Sequence, residues 1–169
     1  MPSKNSFEIF KSKHEQFFRK FRPLDINSEK HYTDWKSEFT DGTLEDYIAY
    51  CLKEALLFCA KNASNELEGY EWKLELDTKH WELQIERGGK DANYMLWHIH
   101  MDKLFISQLT LPFEFDIAID SKECCSNCSR HHLKKISFES ILKGKHLPYK
   151  SCKREGYCSC TYVIIPKIR

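Results

Sequence analysis

Six of the eight cysteines lie in the last 46 residues of the chain, at Cys124, Cys125, Cys128, Cys152, Cys158 and Cys160. Cys125 and Cys128 form a CxxC knuckle, a spacing that turns two thiolates toward one tetrahedral ion. Cys152 follows after 23 intervening residues, and Cys158 and Cys160 then flank a single serine. Zn²⁺ takes four nitrogen or sulfur ligands at about 2.0–2.3 Å, and two short clusters separated by a loop are the usual way to supply them. The expected ligands are Cys125, Cys128, Cys152 and one of Cys158 or Cys160. Gly156 suits a turn that delivers Cys158 and gives it a slight preference, while Cys160 stays open as its replacement. Cys124 is open as a replacement for Cys125 by a one-residue slip. His131, His132 and His146 are further candidates. A cysteine-only set closes the coordination sphere, so the expected cofactor is structural Zn²⁺. Its binding contributes on the order of 10 kcal/mol to folding. A catalytic zinc would instead keep an open position beside a general base.

The order Asp120, Cys125-x-x-Cys128-x-x-x-His132, Leu147-Pro148, Cys152, then Glu155-Gly156-Tyr157-Cys158-Ser159-Cys160-Thr161-Tyr162 resembles a known pattern. It is similar to a C-terminal cysteine-cluster segment of bacterial proteins of unknown function. More loosely, it is similar to the C-terminal cluster of phage Mu-type head morphogenesis proteins. The resemblance covers residues 120–166 only. It departs from the pattern at Cys124, an extra cysteine, and at Ser159, where arginine is common. It implies a bacterial or phage origin and a structural metal site, and carries no activity to the first 119 residues.

Other chemistry is thinly represented. Trp97-His98-Ile99-His100 places two histidines two apart, on one face if the segment is a strand, where they could ligate a metal or move protons. Half-exposed polar positions on a sheet face are the simpler explanation. No His-x-Glu precedes the CxxC, as a deaminase would need, and His14-Glu15 has no HExxH continuation. Gly88-Gly89 fits no phosphate-binding loop, and there is no Gly-x-Ser-x-Gly elbow. Whether the chain is an enzyme is left open, with the weight toward no.

Charge is unevenly placed. Net charge is +1 overall, yet from Arg130 onward ten Lys and Arg face only Glu139 and Glu155. Lys134, Lys135, Lys153 and Arg154 are the candidate contacts for phosphates or for an acidic partner. No apolar leader follows Met1 and no run approaches the roughly 18 apolar residues of a membrane span. Cytoplasmic localisation is expected. There, cysteine clusters hold metals more often than disulfides.

The elements that would carry these residues begin with Phe7, Phe10, His14, Phe17 and Phe21, one stripe of a helix over about 5–22 that ends at Pro23. A polar loop anchored by Trp35 and Phe39 follows. Thr43 caps a second helix, with Asp46 at its third position, and Cys51 and Cys59 sit on its buried face as small core residues. The alternation of Trp72, Leu74, Leu76 and of Trp81, Leu83, Ile85 with charged residues predicts two strands. Gly88-Gly89-Lys90-Asp91 turns the chain, further strands are expected over 94–101, 104–109 and 113–119, and Cys160 leads into another over 161–165. The fold class is α+β: two N-terminal helices packed on an antiparallel meander over 1–119, with a zinc-binding segment over 120–169. The expected function is a small zinc-stabilised binding or adaptor protein acting through protein contact. The alternative is a nucleic-acid-binding zinc module, and the third reading is a small metal-dependent hydrolase or nuclease. No membrane contact is expected.

Overall fold

The computed structural model describes residues 4–88, 92–122, 124–143, 147, 152–153 and 157–167. The chain forms two compact units, 1–63 and 64–169. This division differs from a boundary at 119/120, because the strand that ends at Asp120 belongs to the same sheet as the C-terminal strand.

The first unit is helical. α1 (Lys4–Phe18) runs into a short 3-10 helix (Arg19–Leu24) that contains Pro23, so the helix tightens where proline removes a donor. The expected loop contains a further helix, α2 (Glu29–Glu38), capped by Ser28, whose hydroxyl accepts from the His31 N–H. α3 (Leu44–Asn62) starts at Thr43 with the expected capping box: the Thr43 hydroxyl accepts from Asp46 N–H, and the Asp46 carboxylate accepts from Thr43 N–H. Cys51 and Cys59 are buried on α3, as anticipated. Fully buried Tyr47 centres an aromatic core. Tyr32 and Trp35 lie 5.0 and 5.2 Å from its ring, and His31 Nδ1 is 2.9 Å from its hydroxyl.

In the second unit the expected meander is replaced by two long helices, α4 (Glu66–Glu86) and α5 (Ala92–Thr110). The period-two alternation is local, and the longer pattern is helical. Trp72, Leu76 and Leu83 descend one side in steps of four and seven, while Leu74, Trp81 and Ile85 follow the same spacing on an adjacent side. A helix half-buried on two sides therefore mimics a strand over any six residues. Asn65 caps α4, its side chain accepting from Glu68 N–H. No proline or internal glycine interrupts 92–110, which Met, Leu and Trp fill. The helices run antiparallel, since Tyr70 stacks on Phe105 at 4.6 Å and Lys73 meets Asp102 at 2.7 Å.

Of the strands expected before the cysteines, only the last, expected over 113–119, forms one, and the strand expected after Cys160 also forms. β1 (Phe115–Asp120) is the centre of a three-stranded antiparallel sheet, between β2 (Lys135–Ile136) and β3 (Thr161–Pro166). α6 (Ser126–Ser129) and α7 (Phe138–Leu142) are single turns or little more. Met101 and Leu104 of α5 pack with Ile117 and Ile119 of β1, Ile136 of β2, Ile141, and the sulfurs of Cys128, Cys158 and Cys160. The α+β class holds, built from helices on a small sheet.

Between α4 and α5 lies a buried ion cluster. Lys73 Nζ donates to Asp77 at 2.9 Å and to both Asp102 oxygens at 2.7 and 2.9 Å. Burial raises the Asp102 carboxyl to about 6 against the pull of Lys73. Burial also opposes the Lys73 charge, yet its bonds to Asp102 and Asp77 hold its pKa above the ordinary value. Because the folded pKa of Asp102 is raised, its own contribution favours folding at low pH and is lost as pH rises through about 6. Lys73 offsets that loss. Lys73→Met should therefore cost about 2 kcal/mol near pH 7.5, allowing for the partial exposure of the lysine. The cost should shrink near pH 5.5, where Asp102 is protonated. Urea unfolding of both proteins at the two pH values checks this, and an equal cost at both would show that the carboxylate needs no counter-charge.

Candidate metal centre

β1 and β3 pair along their whole length, from Phe115 opposite Pro166 to Asp120 opposite Thr161. The last pair sets the site. Leaving β1 at Asp120, the chain reaches Cys124 and Cys125 within five residues, while Cys160 immediately precedes β3. Antiparallel pairing therefore brings the knuckle and the Cys-Ser-Cys element to the same end of the sheet. Cys125 then takes the capping position of α6, whose turn holds the knuckle: Cys128 N–H and Ser129 N–H both donate to the Cys125 carbonyl, at 2.9 and 3.0 Å.

The sulfurs gather in two groups that share one member. Those of Cys125, Cys128 and Cys152 lie within 4.8 Å of one another, as do those of Cys128, Cys158 and Cys160. Cys125 Sγ is 3.6 Å from Cys128 Sγ and 3.9 Å from Cys152 Sγ. The edge of a tetrahedron with metal–sulfur bonds of about 2.3 Å is about 3.8 Å, so these spacings fit ligands of one ion. Cys124, open at first only as a replacement, is part of the cluster: its sulfur lies 3.0 Å from that of Cys160 and 3.3 Å from Ser159 Oγ. All five expected ligand cysteines are thus brought together, and all six are free thiols. The cluster can hold a metal ion.

Polar surroundings prepare the thiolates. Lys153 N–H donates to Cys125 Sγ at 3.4 Å. With the backbone N–H groups of Cys128 and Asn127 it draws the Cys125 thiol down to about 6. Burial pushes the Cys128 and Cys160 thiols up, and their sulfur neighbours add to it for Cys160. A buried group of thiols cannot all ionise against one another without a cation among them.

Supports outside the cysteines carry no sequence signal of their own. Asn93 of α5 accepts from Cys158 N–H at 2.9 Å, and Trp81 of α4 meets Tyr157 edge-on at 5.1 Å. Both fix the 157–160 segment against the helices. Leu133 adopts φ 56° in the return from α6 to β2, where its N–H donates to Ile119 at 2.8 Å.

The other candidates disperse. His98 and His100 stand on helix α5, not on a strand, so a two-residue step turns them away from each other. His98 lies against Tyr94 and Trp97, whereas His100 is buried beside Tyr162. His132 Nδ1 accepts from Ser121 N–H at 3.3 Å, anchoring the end of β1. Lys134 and Lys153 are exposed, and Lys135, also exposed, is paired with Asp116. Arg154 and His146 lie outside the described residues. No helix is long and apolar enough to cross a membrane among the described residues.

No family model, curated protein or solved structure matches this chain. The site is read from its own chemistry.

Because Cys128 belongs to both sulfur groups, Cys128→Ser should strip most bound metal and loosen the second unit. Cys59→Ala, in the core of the other unit, should leave metal content unchanged at a cost of about 1 kcal/mol. Elemental analysis of the two purified variants decides: metal retained in full by Cys128→Ser would remove that cysteine from the site.

Proposed function

We infer that this protein is a small zinc-stabilised binding or adaptor protein, working through protein contact, with the zinc structural. The observation that carries the reading is the donor set. Six thiols converge and no histidine joins their groups among the described residues. Sulfur-rich sites select Zn²⁺, Cu⁺ or iron–sulfur clusters, and for a redox-inert ion that completes a fold zinc is the choice. With its sphere closed by thiolates, such an ion has no position for substrate or water.

Protein contact is supported by the apolar surface of the second unit. An open cleft of about 440 Å³ is bordered by Leu111, Phe113, Phe115 and Phe138, with Glu114 and Lys167 at its edge. Phe113 and nearby Leu109 are each more than 40% exposed. Aromatic and aliphatic groups rimmed by charge are the usual composition of a protein-binding patch.

The nucleic-acid alternative rests on the basic segment, and part of that charge is engaged. Lys135 pairs with Asp116, Lys143 with Glu139, and Lys167 with Glu114. Among the described residues of the segment, exposed Arg130, Lys134 and Lys153 are in no ion pair and are left to carry it.

Two measurements test the reading. Native protein should contain zinc that a chelator removes only as the second unit unfolds, followed by circular dichroism. A metal-free protein with intact disulfides would sink it. On oligonucleotide resin the protein should elute at low salt, with little change on reversing Lys134 and Lys153. Steeply salt-dependent retention that those reversals abolish would establish the nucleic-acid reading instead.

A further inference from the structure

We propose that the cluster holds two metal ions, bridged by the thiolate of Cys128, rather than one. This rests on the reading of the cluster as a zinc–thiolate staple and adds its nuclearity.

A single four-cysteine ion draws four sulfurs to mutual distances of about 3.8 Å. The described residues hold no such quartet. The sulfurs of Cys125 and Cys152 form one group with Cys128, those of Cys158 and Cys160 form another, and Cys128 alone belongs to both. Cys124 then extends the second group through its 3.0 Å contact with Cys160. The six sulfurs therefore form an elongated array, with Cys125 and Cys152 at one end, Cys124 at the other, and Cys128 between them.

Coordination arithmetic fits the array. Two tetrahedral ions need eight ligand positions, and six thiolates supply eight when two of them bridge. Cys128 is one bridge. The second falls to Cys158 or Cys160, the two residues grouped with it. One ion then sits toward Cys125 and Cys152, and the other toward Cys124 and whichever of Cys158 and Cys160 does not bridge. The question of which of those two is the fourth ligand of a single site is thereby removed, since both bind. On loading, six cysteines bind as thiolates with their thiol protons released to solvent, two divalent ions enter, and eight sulfur–metal bonds form, four from terminal sulfurs and four from the two bridging ones. No electron changes hands. Six thiolates and two divalent ions leave a charge of −2, the same as one ion on four thiolates, but no sulfur remains protonated in the buried centre.

The test uses the full-length native protein. Inductively coupled plasma mass spectrometry against amino-acid analysis should give two zinc ions per chain. Under native conditions iodoacetamide should leave all six cluster cysteines unmodified. After exchange with ¹¹³Cd²⁺, NMR should show two resonances in the thiolate region, scalar-coupled through the shared sulfur. Cys124→Ser, at the half-buried rim, should keep the fold by circular dichroism and lower the zinc content. One ion per chain, with two cluster cysteines alkylated in the native protein, would overturn the two-ion centre and leave the structural-zinc reading standing. Iron with acid-labile sulfide would overturn both, as would a metal-free, disulfide-bonded protein.

Discussion

The second unit depends on the antiparallel pairing of β1 with β3. Six consecutive residue pairs join 115–120 to 161–166, two segments separated by forty residues, of which the described ones form only short helices and a two-residue strand. Closing so long a loop is entropically costly. The sheet is also too small to meet that cost unaided, since β2 contributes two residues and the strands need a helical layer and more behind them. The cysteines stand where the closure is weakest, just beyond the Asp120–Thr161 end of the ladder. A metal held there would tie the two chain segments together, pairing and ligation each supplying geometry that the other requires.

The helices take part in the same arrangement. Met101 and Leu104 of α5 cover the inner face of β1, Asn93 holds the Cys158 N–H, and His100 lies against Tyr162 of β3. α5 is in turn held to α4 by the Lys73–Asp102 ion pair and the Tyr70–Phe105 stack. Ion pairs of this kind add little net stability over apolar packing. Their value lies in register, because a one-turn slip of α5 along α4 would bury Asp102 without its lysine. Such a slip would also carry Asn93 away from the cysteine segment. The geometry of the centre is thus coupled to a charge cluster on the opposite side of α5.

What was legible in the sequence follows from how local each signal is. The Thr43–Asp46 capping box, the helix at Phe7–Phe21 and the strand after Cys160 are set by residues a few positions apart, and each formed. The cysteine cluster was legible because metal ligation imposes a spacing that few other constraints produce. The region 66–110 was not. Trp72-Lys73-Leu74-Glu75-Leu76 alternates like a strand, and what decides against a strand is the extent of the pattern. Twenty-one residues without proline, opened by Asn65 and rich in Glu, Leu and Lys, favour a helix. Its two-sided burial hides the usual period, and its partner α5 is apolar nearly all round. His98 and His100 share a face on a strand and diverge on the helix that forms. The role of Cys124 was hidden for a different reason. Only the fold shows that the chain before the knuckle passes beside Cys160.

The basic composition of the C-terminal segment takes on a different meaning beside an anionic cluster. Counted along the sequence, ten cations against two acids point to phosphates. In the folded unit, Lys135 and Lys167 lie on the acids of 114–116, which precede the cysteine segment and belong to the acidic part of the sequence. A closed zinc–thiolate centre carries net negative charge whether it holds one ion or two, and its ligands are interleaved with Arg130, Lys134 and Lys153. Backbone donors lower the cost of assembling several thiolates in a half-buried site, as the Lys153 N–H does for Cys125. Part of the positive charge of this segment thus has an internal use, pairing the second unit's own acids. Among the described residues, that pairing reduces the surplus of charge available to a polyanion.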